Sequence, residues 1–369
     1  MSRADSSSAS APERLLAPID FSDIEAWRDD DHAAALAAFI VGARKIAASP
    51  PKTRALGVDG AALQEIAGNA LAMASPQDKD AARRFFECRF APHRIVTAGF
   101  VTGYFEPELE ASRTRDPRFS VPLYRRPGDL VDVDDANQPP GFDPEIRFAR
   151  ATPRGIALYP DRAAIETGAL AGQGLEIAFV ESPVDAFFIH VQGSARLKLA
   201  EGGTLRIAFA AKSGHPYTSI GRLAVERGLL TREKADKDGL EAWLKQNPEA
   251  GRALMRENRS FIFFRETELD EDDGPLGAAG IPLTPLRSLA VDRTLHTFHT
   301  PVWVDAPELA APRGDAPFRR LMIAQDTGSA IVGPARGDIF FGSGAEAGSR
   351  AGRVRHKAAM VALVPKAGG

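Results

Sequence analysis

Apolar residues recur at helical spacing through the first ninety positions, then gather into short runs and alternations through most of the remaining chain. Over 23–48, Leu36, Phe39, Ile40, Ala43 and Ile46 fall on one face, which predicts an amphipathic helix ended by Pro50 and Pro51. A second helix is expected over 59–74, with Leu63, Ile66, Ala70 and Leu71 inward, and a third over 77–90. Cys88 on the third reads as a core thiol.

From Ile95 to Pro107 the residues become β-branched and aromatic, and a strand is expected whose glycines let another backbone or a ligand approach. Residues 108–160 are rich in Pro, Arg and Asp with weak periodicity, which places a domain boundary near Pro107. Strands are then expected at 175–180, 186–191 and 205–210, with 195–199 alternating cleanly and 201–204 as a hairpin turn. Gln192, Gly193 and Ser194 break this apolar pattern; they either offer polar groups to sugar hydroxyls or mark a β-bulge. Residues 218–256 read as helical, punctuated by Gly228 and Pro248, and 261–265 as a buried strand. Short strands joined by Gly/Pro loops fill the last third, which predicts a closed barrel.

Within that third, the apolar runs 321–324 and 339–341 lie beside Asp326 and Asp338, and Gly328, Gly333, Pro334 and Gly337 supply turns between them. An aspartate at a buried strand end beside Phe340 and Phe341 loses hydration, which raises its pKa and makes it a candidate proton donor. The bland reading of any Asp-x-Gly is a turn cap; two aspartates, many glycines and flanking aromatics in one segment favour chemistry.

With 369 residues, 44% hydrophobic and 26% charged, the chain has room for two domains. A net charge of −3 gives no reason to expect nucleic acid or an anionic membrane as partner. One cysteine allows neither an intrachain disulfide nor a Cys-based metal site. No apolar run is long enough to cross a bilayer, and residues 1–20, without the apolar core of a secretory leader, are expected to be a disordered tail.

Several chemistries can be weighed. His296-Thr-Phe-His299 lacks a metalloprotease pattern, and no Gly-x-Ser-x-Gly elbow occurs. The glycines of 341–348 have the wrong spacing for a dinucleotide fingerprint and too little chain after them. Asp326-Thr-Gly matches the aspartic-protease signature, but its second aspartate would have to come from a dimer partner. Glycoside cleavage also fits: Tyr104 beside Glu106 suits a carbohydrate site, and one acid suffices if the attacking group belongs to the sugar itself.

From Val101 to Pro365 the chain resembles the membrane-bound lytic murein transglycosylase A family. The matching motifs are Gly103-Tyr-Phe-Glu-Pro107, Phe188-Ile-His-Val-Gln-Gly-Ser-Ala-Arg196, Tyr217-Thr-Ser-Ile-Gly-Arg222, Asn258-Arg-Ser-Phe-Ile-Phe-Phe264, Pro282-Leu-Thr-Pro-Leu-Arg-Ser-Leu-Ala-Val-Asp292 and the stretch from Ala324 to Asp338. The last carries the heart of the family's 3D domain, whose three aspartates correspond to Asp292, Asp326 and Asp338. The resemblance implies a mainly β fold with helices: a double-psi β-barrel over 21–107 and 258–369 with N-terminal helices packed on it, and a smaller β domain inserted over 108–257. It implies cleavage of the β-1,4 bond between N-acetylmuramic acid and N-acetylglucosamine, leaving a 1,6-anhydro end. Asp338 would be the acid and then the base, Asp326 would tune it, and Asp292 would fix the loop. Tyr104, Glu106, Gln192, Gly193 and Ser194 would line a glycan groove between the domains.

No cofactor or metal is implied. The expected partner is the peptidoglycan glycan strand, with other cell-wall enzymes as further candidates, acting as a monomer in the periplasm or cell envelope. Lipoprotein members carry a signal peptide and a lipidated cysteine that this sequence does not show. A cell-wall-binding barrel without catalysis is the second alternative to the enzyme, beside the protease.

Overall fold

The structure, a computed structural model, describes residues 15–73, 77–134, 136–143, 146–270, 273–310 and 316–366. Six strands form a closed ring. Gly99–Glu106 pairs in parallel with Arg336–Ser343, which pairs antiparallel with Ser288–Val291. That strand runs parallel to Pro317–Asp326, followed by antiparallel Pro301–Ala310 and Arg355–Pro365. Residues 355–358 then pair antiparallel with 99–102 and close the ring. The two parallel pairs suit the double-psi winding expected. Closure requires a glycine at 99, because a Cβ there would come within 2.3 Å of the Ala358 carbonyl oxygen.

Alternation decides which side chains fill the ring. Val101, Leu289, Val302, Val304, Met322 and Met360 belong to the interior core, whereas Trp303, Leu321, Ile323, Val361 and Leu363 pack under the N-terminal helices His32–Ala48, Gly60–Leu71 and Lys79–Arg89. Strands buried on both faces explain why these segments read as continuous apolar runs.

The first helix starts later than its periodicity suggests, because the Asp31 side chain accepts from the Ala34 amide at 3.2 Å and caps it; 21–23 and 27–29 are 3-10 turns. Just before the cap, Asp30 is buried against Arg287 in a two-pronged pair at 2.7 and 2.9 Å and accepts the Leu321 amide at 2.9 Å. Burial alone would raise the Asp30 carboxyl, but these bonds outweigh it and hold it below the usual range. Cys88, expected in the core, is exposed. Of the expected tail, Leu16–Pro18 is instead a strand paired with Phe90–Ile95, and 1–14 lie outside the described residues.

The inserted domain is built on a four-stranded sheet, in the order Ile262–Glu266, Thr204–Lys212, Ser194–Leu199 and Glu108–Ala111, with the last pair parallel. Ile262–Glu266, expected to return the chain to the barrel, adds to this sheet instead, so the return lies beyond Glu266. Residues 186–191, expected as a strand, belong to the helix Pro183–Gln192. A short apolar run does not distinguish strand from buried helix; here the ends decide, with Ser182 as cap, Pro183 in the first turn and Gly193 in the left-handed region at φ 81°. Gln192, Gly193 and Ser194 are therefore a helix end running into a strand, neither an interrupted sheet nor a bulge.

Candidate active site

Along the parallel pair formed by Gly99–Glu106 and Arg336–Ser343, cross-strand partners line up as rungs: Phe100 with Arg336, Thr102 with Asp338, Tyr104 with Phe340, and Glu106 with Ser343. Alternation puts Phe100, Thr102 and Tyr104 on the face opposite the buried Val101. On the middle rung the Thr102 hydroxyl donates to Asp338 Oδ1 at 2.6 Å, and the Thr102 oxygen accepts from Arg336 Nη2 at 2.7 Å. Asp338 is thus linked to a guanidinium through a hydroxyl.

Asp326 approaches from the far side of a small residue. Ala290 is the register partner of Asp338 on one flank and of Asp326 on the other, which separates the two aspartate backbones by about 10 Å, twice the strand spacing. Asp326 accepts the Tyr104 hydroxyl, the Ala278 amide and the Thr327 amide, each at 2.8 Å. The Tyr104 ring packs on Phe340 with centroids 5.3 Å apart.

Burial pushes the Asp338 carboxyl up to about 6; the Thr102 bond and the Arg336 charge oppose the rise, and the Asp326 charge adds to it. Asp326 is also raised by burial, against its three donors. The Tyr104 phenol is pushed well up by burial and then by Asp326, so it remains a donor. Asp292 behaves differently. Burial would raise it, but the Thr294 hydroxyl at 2.6 Å, the Gly333 amide at 2.8 Å and the Thr294 amide at 2.9 Å hold it below the usual range. It ties its own turn to the loop that joins the strands of Asp326 and Asp338, and this geometry is that of an anchor.

Glu106, expected to line the groove with Tyr104, is buried at 1% exposure. It accepts from Arg196 at 3.0 Å, Arg206 at 3.2 Å and Ser343 at 2.7 Å, so it pins the inserted domain to the barrel. Gln192 faces a cavity of about 210 Å³ between the two domains, shared with Thr102, Phe105, Tyr217 and Lys237, and its Oε1 accepts the Phe105 amide at 3.1 Å. Gly193 ends its helix, and Ser194 is buried and paired with Ala208. Lys212 reaches from the inserted domain to Ser329, 3.4 Å away, beside Asp326.

Sequence reasoning missed Thr102, Arg336 and Tyr217. Thr102 shares a strand face with Tyr104, a period-two signal that was legible; its meeting with Asp338, 236 positions away, was not. Among the described residues no group of three or more His, Cys, Asp or Glu side chains could hold a metal ion.

Residues 100–265 match the family model of the MltA specific insert domain, and residues 287–364 match that of the 3D domain. A membrane-bound lytic murein transglycosylase A from Vibrio cholerae is 35% identical over 260 residues, which cover 69% of this chain and 62% of that relative. The crystal structure of a membrane-bound lytic murein transglycosylase from Agrobacterium tumefaciens is 45% identical, covers 95% of this chain and 97% of its own, and superposes with a TM-score of 0.88. An Escherichia coli MltA structure with bound chitohexaose is 26% identical, covers 97% of this chain and 93% of its own, and gives 0.62. On its motifs, its fold and these likenesses, the chain belongs to the membrane-bound lytic murein transglycosylase A family.

Proposed function

We propose that the protein is a peptidoglycan lytic transglycosylase in which Asp338 is the single acid and base. The observation that carries this reading is the buried Asp338 carboxyl bonded to Thr102 beside the Asp326–Tyr104 network, a setting in which burial pushes it up to about 6. Such a group is protonated in mildly acidic solution, and it becomes a competent base once its proton is gone. In its acid form Asp338 protonates the glycosidic oxygen as the C1–O bond breaks. The carboxylate then takes the proton from the C6 hydroxyl of the same muramoyl unit while that oxygen bonds to C1. The acid is regenerated, no water is consumed, and the product ends in a 1,6-anhydro ring. Holding the nucleophile on the substrate itself removes the need for a second carboxylate to activate water.

Asp326, with its oxygens occupied by Tyr104 and two amides, serves to tune Asp338 through its charge. Asp292 keeps the intervening loop in place. The glycan would lie between barrel and inserted domain, where Gln192, Thr102 and Tyr217 share a cavity; the Escherichia coli relative has chitohexaose bound. This reading places the work in the cell envelope, on glycan strands, by a monomer. The aspartic-protease reading of Asp326 draws no support here, because its carboxylate is bonded to Tyr104 and backbone amides rather than to a second carboxyl. Mass spectrometry of fragments released from isolated sacculi tests the reaction: anhydro ends are expected, and reducing ends would mean that water attacks.

A further inference from the structure

The rung next to Thr102 and Asp338 is formed by Phe100 and Arg336; Arg336 reaches Thr102 and opposes the rise of the Asp338 carboxyl, but the acid–base scheme uses neither the Phe100 ring nor the rest of the guanidinium. Two residues along a strand is about 6.6 Å, so this rung is within reach of a sugar held at the rung of Thr102 and Asp338. The Phe100 ring is 41% exposed although it is large, apolar and set in the middle of a sheet. The Arg336 guanidinium stands over it, 5.7 Å from the centroid.

Arg336 is fixed but not saturated. Its Nη1 group donates to the Phe100 and Gly337 carbonyls, and one Nη2 hydrogen goes to Thr102. Of the five N–H donors of a guanidinium, about two then remain, one on Nε and one on the neighbouring Nη2. Donors on these two adjacent nitrogens can take the two oxygens of a carboxyl group. Among the described residues Arg336 has no carboxylate within ion-pair distance, since its link to Asp338 passes through Thr102.

We propose that Phe100 and Arg336 form a subsite beside the acid that selects a sugar bearing a carboxyl-type substituent, the ring of Phe100 packing on the sugar face and the remaining donors of Arg336 taking the carboxyl oxygens. This rests on the glycoside-cleaving reading and deepens it, because it separates muramic from plain N-acetylglucosamine units. The 3-O-lactyl group presents a free carboxylate in naked glycan and an amide carbonyl in peptide-bearing glycan; both offer oxygen acceptors, and the free carboxylate gains more from the charge.

The test is calorimetric binding to an Asp338→Asn background, with three ligands: naked glycan strands, peptide-bearing strands and chitohexaose. Phe100→Ala is expected to weaken all three about tenfold, the effect of losing one aromatic contact. Arg336→Gln is expected to weaken naked glycan about tenfold, peptide-bearing glycan less, and chitohexaose by under about twofold. Arg336→Lys, which keeps the charge and loses the paired donors, should follow Arg336→Gln in discrimination. In the active enzyme Arg336→Lys should preserve the pH profile, whereas Arg336→Gln moves the alkaline limb upward. Equal losses on glycan and chitohexaose for Arg336→Gln, or unchanged binding for Phe100→Ala, would overturn the subsite and leave the acid–base assignment standing. Failure of the Asp338→Asn background to bind any of the three would overturn the glycan reading itself, and the subsite with it.

Discussion

Burial raises the Asp338 carboxyl to about 6 against two opposing influences, the Thr102 hydroxyl and the Arg336 guanidinium. A carboxyl whose folded pKa exceeds its ordinary 3.8 favours the folded state most when protonated, and that advantage is lost as pH rises through 6. A side-chain amide in its place does not ionise. Asp338→Asn should therefore be more stable than the parent near neutral pH by about 1–2 kcal/mol, discounted for the solvated part of the side chain, and the gap should close at low pH. Urea unfolding of both proteins near pH 7.5 and near pH 4 measures it; a gap that does not depend on pH would contradict a raised pKa. Thr102→Val removes a donor that favours the anion, so the alkaline limb of the rate profile should move to higher pH. A profile that keeps its limb would mean that Thr102 does not control the acid. These residues differ in how legible they were. Asp326 and Asp338 stood out from their apolar flanks, while Glu106, equally marked by an aromatic neighbour, is a buried pin, because the two arginines that claim it come from strands 90 and 100 positions later.

At the scale of elements, the strand Gly99–Glu106 has three jobs along its length: it closes the ring at Gly99, holds the Asp338 carboxyl at Thr102 and fastens the inserted domain at Glu106. Glu106→Ala would leave Arg196 and Arg206 facing each other without their carboxylate, a loss of about 3–5 kcal/mol for a broken buried pair. The exposed pair of Lys198 and Glu108, nearby in the same sheet, should contribute under about 1 kcal/mol when Lys198 is replaced by alanine. Chemical denaturation of both variants decides this, and similar losses would show that Glu106 is not a pin. The helices of the first ninety residues were readable because periodicity and caps agree. Residues 186–191 were not, because an apolar run of strand length was in fact a helix with Ser182, Pro183 and Gly193 at its ends.

At the scale of the whole molecule, the site is assembled by chain segments far apart in sequence, and this is what the residues alone reveal least. Nothing local indicates that Ala290 lies between Asp326 and Asp338, or that Arg355–Ala358 returns to Gly99–Thr102. The closed barrel was expected from short strands and Gly/Pro loops, and the inserted domain from the change in composition after Pro107, whereas the late return after Glu266 depends on a pairing with Thr204–Lys212. The architecture converges on one carboxyl group, and its replacement by an amide of the same size is the most direct trial. Initial rates of soluble fragment release from sacculi should fall by about a thousandfold or more in Asp338→Asn at mildly acidic pH, with folding retained, as expected for removal of a group that both gives and takes the proton. Release by the variant at a rate within about tenfold of the parent would contradict the account.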